Sequence, residues 1–198
     1  MHSFFDSYPY QIVLASGSPR RQQFFKDLGI PFTSRVRSLE EVYPETLKRE
    51  DIAVYLAKLK ASVFTDLSDE ELLITSDTVV WCENESLAKA ENAAEATQML
   101  QKLSGKTHEV ITAVFFKTTR FEKVITDITQ VTFKKLSVAE INYYLEMAKP
   151  YDKAGAYGIQ DWIGLIGVER LEGSFFNVMG LPTHKVYATL MEIKAGKF

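Results

Sequence analysis

Residues 14–21, LASGSPRR, decide the fold, because they carry the chain from an apolar strand directly into a helix. Ser18 is a favourable N-cap residue, and Pro19 suits the first helical position, where its missing N–H group would be unpaired in any case. Free N–H groups at a helix start favour anions, and the guanidiniums of Arg20 and Arg21 match phosphate oxygens two bonds at a time. The segment predicts a phosphate site, although two arginines in a first helical turn can also be solvated surface.

Strand and helix signals alternate along the chain, which predicts a layered α/β or α+β fold. No linker, repeat or low-complexity segment interrupts the alternation, so we expect one domain over residues 1–198. A glycine-rich stretch, residues 155–173, has no predicted element. The predicted strands cover 12–14, 32–37, 72–81 with a polar interruption at 76–78, 108–118 and 121–135, and the predicted helices cover 19–28, 45–67, 91–103, 137–149 and 182–194.

Composition narrows the class of protein. The 198 residues are 46% hydrophobic and 25% charged, with a formal net charge of −3. Non-specific binding to nucleic acid or anionic membranes depends on a basic surface, so we expect neither as a partner. The single Cys82 excludes an internal disulfide bond and a cysteine-rich zinc site. No apolar run has the length of a membrane span, and the first ten residues lack the pattern of a signal peptide, so we expect a cytoplasmic protein.

Asp77 is the strongest catalytic candidate. It lies inside the run LLITSDTVV, residues 72–80, where both flanks have the composition of buried strand. A carboxylate costs several kcal/mol at such a position unless it is paired or holds a cation. A carboxylate at the edge of a cleft is a common metal ligand or general base. The alternative is a turn aspartate between two short strands.

Lys60 breaks the pattern of its helix. It shares one face with Ala53, Ala57 and Phe64, and that face borders the apolar stripe. The spacing therefore directs Lys60 toward the core side. A lysine at the edge of a buried face can also simply extend its ammonium to solvent.

Residues 152–160, DKAGAYGIQ, combine two glycines with charged and amide side chains. Glycine permits a close backbone approach or a positive φ, and the polar groups suit a polar ligand. We interpret this segment as functional, with an ordinary connecting loop as the alternative. The turn at residues 180–182, GLP, is interpreted as structural.

Together these motifs resemble the Maf family of nucleoside triphosphate pyrophosphatases over nearly the whole chain. The resemblance implies a mixed, elongated β-sheet flanked by helices, with two lobes around a central cleft, as in Maf and ITPase proteins. The sequence resembles the branch that acts on dTTP and UTP at three places: the two arginines of the first block, residue Thr78, and residue Gln160. The blocks that carry the resemblance are residues 16–21, 40–41, 57–61, 76–80, 103–108, 152–160 and 180–182.

The resemblance also implies roles for individual residues. Asp77 would accept a proton from the attacking water, and Glu41 and Asp77 would bind a divalent metal cation, Mg²⁺ or Mn²⁺. Arg20, Thr78 and Gln160 match positions that the family uses for substrate selection. Asp161 departs from the family, which usually has glycine after Gln160. The implied substrate-binding residues are Ser16, Ser18, Arg20, Arg21, Lys60, Thr78, Lys89 and Gln160.

The implied activity is hydrolysis of dTTP and UTP, or of modified pyrimidine nucleotides, to the monophosphate and pyrophosphate. Water would attack the α-phosphorus with the assistance of the metal. Two alternatives stay open: a non-catalytic, nucleotide-sensing regulator of cell division and septum formation, and a 7-methyl-GTP pyrophosphatase of the sister branch. The expected partners are a nucleoside triphosphate and a second copy of the chain, since homodimers are common among such enzymes.

Overall fold

The computed structural model describes residues 4–198, in which one mixed sheet is flanked by helices. The strands are β1 (Gln11–Leu14), β2 (Thr33–Ser34), β3 (Glu71–Cys82), β4 (Glu85–Leu87), β5 (Thr107–Lys117), β6 (Glu122–Phe133) and β7 (Val168–Glu172). The helices are α1 (Pro19–Asp27), α2 (Glu50–Ser62), α3 (Ala93–Leu103), α4 (Val138–Ala148), α5 (Trp162–Gly167), α6 (Phe175–Val178) and α7 (Thr183–Lys194).

The strands lie in the order β2-β1-β3-β5-β6-β7, with β4 paired to β3. Strand β1 runs parallel to β2 and β3, and the remaining pairs are antiparallel. Helix α1 packs with Leu72 and Ile74 of β3 in one apolar cluster, whereas α2 packs with Leu73 and Val79 in another. Because alternate strand residues point to opposite faces, the two helices cover opposite faces of the sheet. The predicted mixed sheet with flanking helices is confirmed.

Strand β3 changes partner along its length, and this change opens the sheet. Its first residues, 71–74, pair with β1, and its last residues, 80–82, pair with β4. The opposite edge pairs with β5 without a break from Leu73 to Trp81. Residues 75–79 therefore have an edge between β1 and β4 that neither of these strands covers. The backbone N–H and C=O groups along this edge have no strand partner, so they are available for hydrogen bonds to side chains or to a ligand.

Several predicted boundaries are wrong. The polar residues 76–78 do not interrupt β3, so the interpretation of Asp77 as a turn residue is excluded. The helix predicted at 45–67 covers only Glu50–Ser62. It cannot begin earlier, because Arg49 has a φ of 49°, which a right-handed helix cannot include. The strand predicted at 32–37 is reduced to Thr33–Ser34. Elements β4, α5, β7 and α6 were not predicted, and α5 and β7 lie in the glycine-rich stretch.

Other local predictions are confirmed. Strands β5 and β6 form the expected hairpin. Ser137 and Glu140 form a capping box at the start of α4. The side chain of each residue accepts a hydrogen bond from the backbone N–H of the other. That helix ends before Lys149, which is in the left-handed conformation. Within residues 4–198, no helix combines the length and apolar character that crossing a membrane requires.

Candidate active site

The predicted helix start is formed as expected. Ser18 caps α1, since its Oγ accepts from the N–H of Arg21 at 3.5 Å, and Pro19 takes the first helical position. The Ser16 hydroxyl, which is buried, accepts from the N–H of Ser18 at 3.3 Å. These contacts fix the turn between β1 and α1 and direct the start of the helix toward the open edge of β3.

On the α2 face of the sheet, one ammonium joins two carboxylates. The Nζ of Lys60 lies 2.5 Å from Oδ1 of Asp77 and 3.1 Å from Oε2 of Glu41. Glu41 belongs to the segment before α2 and is exposed, whereas Asp77 is 7% exposed. Lys60 therefore points to the core side as predicted and pairs there, so the alternative of a lysine that only reaches solvent is wrong.

Burial raises the pKa of Asp77 above its ordinary value. The positive charges of Lys60 and Arg21 act in the opposite direction, and Lys60 also donates a hydrogen bond to the carboxylate. A carboxylate with a raised pKa is a stronger base than an exposed one. The environment thus suits Asp77 for accepting a proton, with two cations available to stabilise it before the reaction.

On the α1 face, Arg21 is held by the protein itself. Its Nε donates to the carbonyl of Gly180 at 2.8 Å, Nη1 donates to the carbonyl of Ser76 at 3.2 Å, and Nη2 donates to Thr78 Oγ1 at 3.0 Å. The second of these bonds satisfies a carbonyl in the open stretch of β3. Burial lowers the pKa of the Arg21 guanidinium. Three of its five N–H groups are occupied, which leaves two for a ligand.

Gly180 has a φ of +106°, a conformation that favours glycine, and a Cβ there would lie 3.6 Å from Thr78 Oγ1. The turn that was interpreted as structural therefore also forms one side of the site.

Arg20 is less constrained than its neighbour. Its Nη1 lies 3.4 Å from Oδ2 of Asp152, and its Nε donates to the carbonyl of Met179 at 3.4 Å. Asp152 also pairs with Lys153, whose Nζ is 2.8 Å from Oδ1. Lys89 forms an isolated antiparallel bridge with Ala154 and is exposed. Asp152 and Lys153 of the segment 152–160 thus bring charge to the cleft, while a functional role for this segment stays a prediction.

These groups line one cleft of about 390 Å³, which lies at the open edge of β3. A volume of this size is within the usual range for small-molecule sites. Nine of the ten predicted site residues line it: Ser16, Ser18, Arg20, Arg21, Glu41, Lys60, Asp77, Thr78 and Lys89.

Gln160 is the exception, because it is exposed and does not line the cleft. The neighbouring turn is fixed by the residue that departs from the family. The hydroxyl of Tyr144 donates to Asp161 Oδ2 at 2.8 Å and accepts from the N–H of Gly158 at 3.1 Å. A Cβ on Gly158 would lie only 2.6 Å from Asp161 Oδ2, so a larger residue there would displace the Asp161 carboxylate. A role for Gln160 in binding stays a prediction.

Sequence reasoning missed several lining residues. Ser76 lines the cleft, and its buried hydroxyl has no hydrogen-bond partner within the described part of the chain. Its place directly before Asp77 was a usable signal. Arg37 also lines the cleft, while donating to the carbonyl of Val63 at 2.5 Å. No local pattern marks Arg37, because its position follows from the packing of a loop against α2.

Two carboxylates are available for a metal cation. Glu41 and Asp77 both reach the single ammonium of Lys60, so their oxygens converge on one positive charge. Among residues 4–198 no group of three or more acidic, histidine or cysteine side chains could hold a metal. Mg²⁺ typically binds through one or two carboxylates, with water and substrate phosphates as the other ligands. The donor set fits such an ion when a phosphate-bearing substrate supplies the rest.

The fold and this site define a member of a known class. The family model described as Maf-like protein matches residues 11–193, and the chain belongs to that family. The chain is 58% identical over 182 residues to the dTTP/UTP pyrophosphatase of Flavobacterium psychrophilum, covering 91% of this chain and 93% of that one.

It is also 53% identical over 185 residues to the dTTP/UTP pyrophosphatase of Christiangramia forsetii, covering 93% and 94%. The solved structure of the Staphylococcus aureus Ham1 protein overlaps with 62% of this chain and 71% of its own, with 15% identity and a TM-score of 0.37.

Proposed function

We propose that this protein is a nucleoside triphosphate pyrophosphatase that hydrolyses dTTP and UTP to the monophosphate and pyrophosphate. Relatives with that name cover more than nine-tenths of the chain at identities above 50%. The observation that carries the proposal is the buried carboxylate of Asp77, which lies in one cleft with Lys60, Arg20 and Arg21. A buried base beside several cations suits water attack on a polyanion.

In the proposed mechanism, Asp77 accepts a proton from the water that attacks the α-phosphorus. The bond from that phosphorus to the bridging oxygen breaks, and pyrophosphate leaves. A divalent cation held by Glu41 and Asp77 would neutralise phosphate charge and make its bound water more acidic. Lys60, already beside Asp77, is placed to hold charge on the phosphates once a ligand enters.

Positioning of the triphosphate is assigned to the helix start and to the cations on either side of it. Arg20, Lys89 and the two unused N–H groups of Arg21 supply charge-assisted hydrogen bonds, each worth about 1.5–3 kcal/mol. The Ser16 and Ser18 hydroxyls contribute neutral contacts in the same cleft. Such contacts bind any triphosphate, so selection of the base depends on other groups.

Pyrophosphate release from a panel of nucleoside triphosphates tests the proposal. We expect release from dTTP and UTP, loss of activity in excess EDTA, and recovery after Mg²⁺ or Mn²⁺ is added. Preference for 7-methyl-GTP would assign the protein to the other branch. Binding of nucleotide without release would favour the nucleotide-sensing regulator. Activity that persists in EDTA would remove the metal from the mechanism.

We further propose that the chain forms one domain, acts in the cytoplasm and assembles as a homodimer. Sedimentation of the purified protein and localisation of a tagged copy test the last two proposals.

A further inference from the structure

Arg37 is a cation at the cleft that has no role in the proposed mechanism. It lies after β2 and lines the cleft, with its side chain 32% exposed. Its Nη1 donates to the carbonyl of Val63 at 2.5 Å, and its Nη2 donates to Asp66 Oδ2 at 2.6 Å. The guanidinium also lies over the ring of Phe64, 4.6 Å from the ring centroid. These contacts hold the guanidinium just beyond the end of α2.

The contacts leave most of the hydrogen-bonding capacity of Arg37 unused. A guanidinium has five N–H groups and accepts no hydrogen bond. Within residues 4–198, two of the five donate to protein oxygens. The acidic partner, Asp66, has a side chain that is 57% exposed and does not line the cleft, so solvent screens this pair. Three donors and a positive charge therefore remain for an anion in the cleft.

The location of Arg37 along β3 indicates which part of a nucleotide it would meet. The turn between β1 and α1 lies at the β1 end of the open stretch of β3, since the N–H of Ala15 donates to the carbonyl of Ile74 at 2.9 Å. The residue before Arg37 packs on that turn, because a Cβ on Gly17 would lie 4.0 Å from Val36 Cγ2. Arg37 therefore belongs to the β1 end of the cleft, beside the turn to which the phosphates are assigned.

The opposite end of the cleft, next to β4, has an apolar wall. Val80 and Val110 are opposite each other on β3 and β5, and both are buried with Tyr157 in one apolar cluster that reaches the cleft. The nucleoside is the one uncharged part of a nucleoside triphosphate, and an apolar wall suits it best. Asp77 lies between the two ends. A substrate with its α-phosphorus at Asp77 then extends its outer phosphates toward Arg37.

We propose that Arg37 binds the outer two phosphates of the substrate, the part that leaves as pyrophosphate. This proposal rests on the proposed function and deepens it, because it names a residue that distinguishes nucleotides by the length of their phosphate chain. A guanidinium can donate two parallel hydrogen bonds to one phosphate group. The contacts with Val63 and Asp66 already hold the side chain, so little of its freedom is lost on binding.

The test measures binding of inorganic pyrophosphate and of UMP to the wild-type protein and to Arg37→Gln by calorimetry in the presence of Mg²⁺. We expect the Kd for pyrophosphate to rise by about tenfold in the variant, as for the loss of one charge-assisted hydrogen bond at a partly exposed position. The Kd for UMP, which lacks the outer phosphates, should be the same in both proteins. In the pyrophosphate-release assay, kcat/KM for UTP should fall by a similar factor.

Arg35→Gln is the matched control. Arg35 also lies over the ring of Phe64, at 5.6 Å, and pairs with Glu71, and its side chain is likewise 32% exposed, but it does not line the cleft. Its Kd for pyrophosphate and its kcat/KM for UTP should equal those of the wild type. Equal losses in the two arginine variants would assign the effect to packing on Phe64 and overturn the proposal.

Asp66→Asn separates binding of a ligand from a purely structural role. This variant removes the acidic partner of Arg37 and keeps the guanidinium. We expect pyrophosphate to bind to it at least as tightly as to the wild type. If Arg37 served only to hold the loop after β2 to Asp66, Asp66→Asn would weaken pyrophosphate binding as much as Arg37→Gln does.

The outcomes separate the proposal from the function it rests on. A wild-type protein that releases no pyrophosphate from any nucleotide contradicts the proposed function. An unchanged Kd for pyrophosphate in folded Arg37→Gln, or an equal rise for pyrophosphate and UMP, overturns the proposal and leaves the pyrophosphatase activity standing. A wild-type protein that does not bind pyrophosphate overturns it without any variant. If Arg37→Gln does not fold, Arg37→Lys, which loses the planar fork, should show the same selective rise for pyrophosphate.

Discussion

Asp77 and Thr78 are consecutive residues of β3, yet their side chains meet opposite environments. Asp77 faces α2 and pairs with Lys60, which also reaches Glu41; we call these three residues the carboxylate side. Thr78 faces α1 and bonds to Arg21 and Thr112; these three form the hydroxyl side. Both sides line or adjoin the same cleft, because β3 has no covering strand at this point.

The two sides differ in what their partners can do. On the carboxylate side each charge is satisfied by another charged side chain, and a ligand phosphate or a metal cation can replace that partner. On the hydroxyl side the final partners are backbone carbonyls of Ser76, Gly180 and Asn177, which cannot be exchanged. We conclude that the carboxylate side is built to change its contacts during the reaction and the hydroxyl side to keep them.

Asp77→Asn should have the largest effect. The amide keeps the shape but cannot accept a proton, and general-base catalysis contributes about 10²–10⁴-fold. We therefore expect kcat for pyrophosphate release to fall by about 10³-fold, with the folded structure retained. Release is followed in a coupled phosphate assay and folding by circular dichroism.

The matched control for this variant is Asp127→Asn. Asp127 is also a strand carboxylate, with a side chain 13% exposed against 11% for Asp77, and it pairs with Lys185 at 2.6 Å outside the cleft. Its turnover should stay near that of the wild type. Wild-type turnover in folded Asp77→Asn would show that the carboxylate side of β3 does not supply the catalytic base.

Arg20 and Arg21 should differ in how much each contributes to the free energy of unfolding. Arg21→Lys removes a guanidinium that bridges three protein acceptors, and we expect a loss of about 3 kcal/mol in the free energy of unfolding. Arg20→Lys removes longer contacts near the surface and should cost less than about 1 kcal/mol while weakening kcat/KM. Urea titrations of both variants measure the difference. Equal losses of unfolding free energy in the two variants would show that the contacts of Arg21 stabilise the fold no more than those of Arg20.

The sequence was sufficient to predict the features that follow from local pattern. A carboxylate inside an apolar run, a lysine on the core side of a helix and a capped helix start are all visible within about ten residues. These patterns predicted Asp77, Lys60 and the turn before α1, and the structure brings them into one cleft.

What the sequence could not predict depends on contacts between distant residues. Thr112 and Asn177 are 65 positions apart and meet only because β5 passes beneath α6. The loss of the first turn of the predicted second helix depends on the positive φ of one residue, Arg49, which no propensity marks. The outward position of Gln160 similarly follows from how Tyr144 and Asp161 fix their turn.

Glu41→Gln tests the exchangeable partner on the carboxylate side. The substitution leaves the Asp77 carboxylate as the one negatively charged protein ligand of the metal. The Mg²⁺ concentration needed for half-maximal activity should therefore rise by about tenfold or more. Glu40→Gln is the control, because its exposed side chain does not line the cleft. An unchanged Mg²⁺ requirement in Glu41→Gln would assign the metal to Asp77 alone.

The last prediction is a pH dependence that separates stability from activity. His108 lies below the cleft, where its Nε2 is 2.7 Å from the hydroxyl of Tyr157, and burial lowers its pKa to about 4. The unfolded chain, with an imidazole pKa of about 6.5, binds more protons than the folded protein between these values. Stability is therefore full above pH 6.5 and falls on acidification, by about 2 kcal/mol at pH 5.

Urea midpoints at pH 7.5 and pH 5 measure this loss, which His108→Gln should reduce and His184→Gln, at an exposed position, should not. The activity of the wild type should also decline on acidification, but through Asp77, whose raised pKa brings protonation above the ordinary range of an aspartate. The acid limb of kcat/KM should therefore be the same in His108→Gln as in the wild type. If that limb moved with the histidine, the base would not be on the carboxylate side.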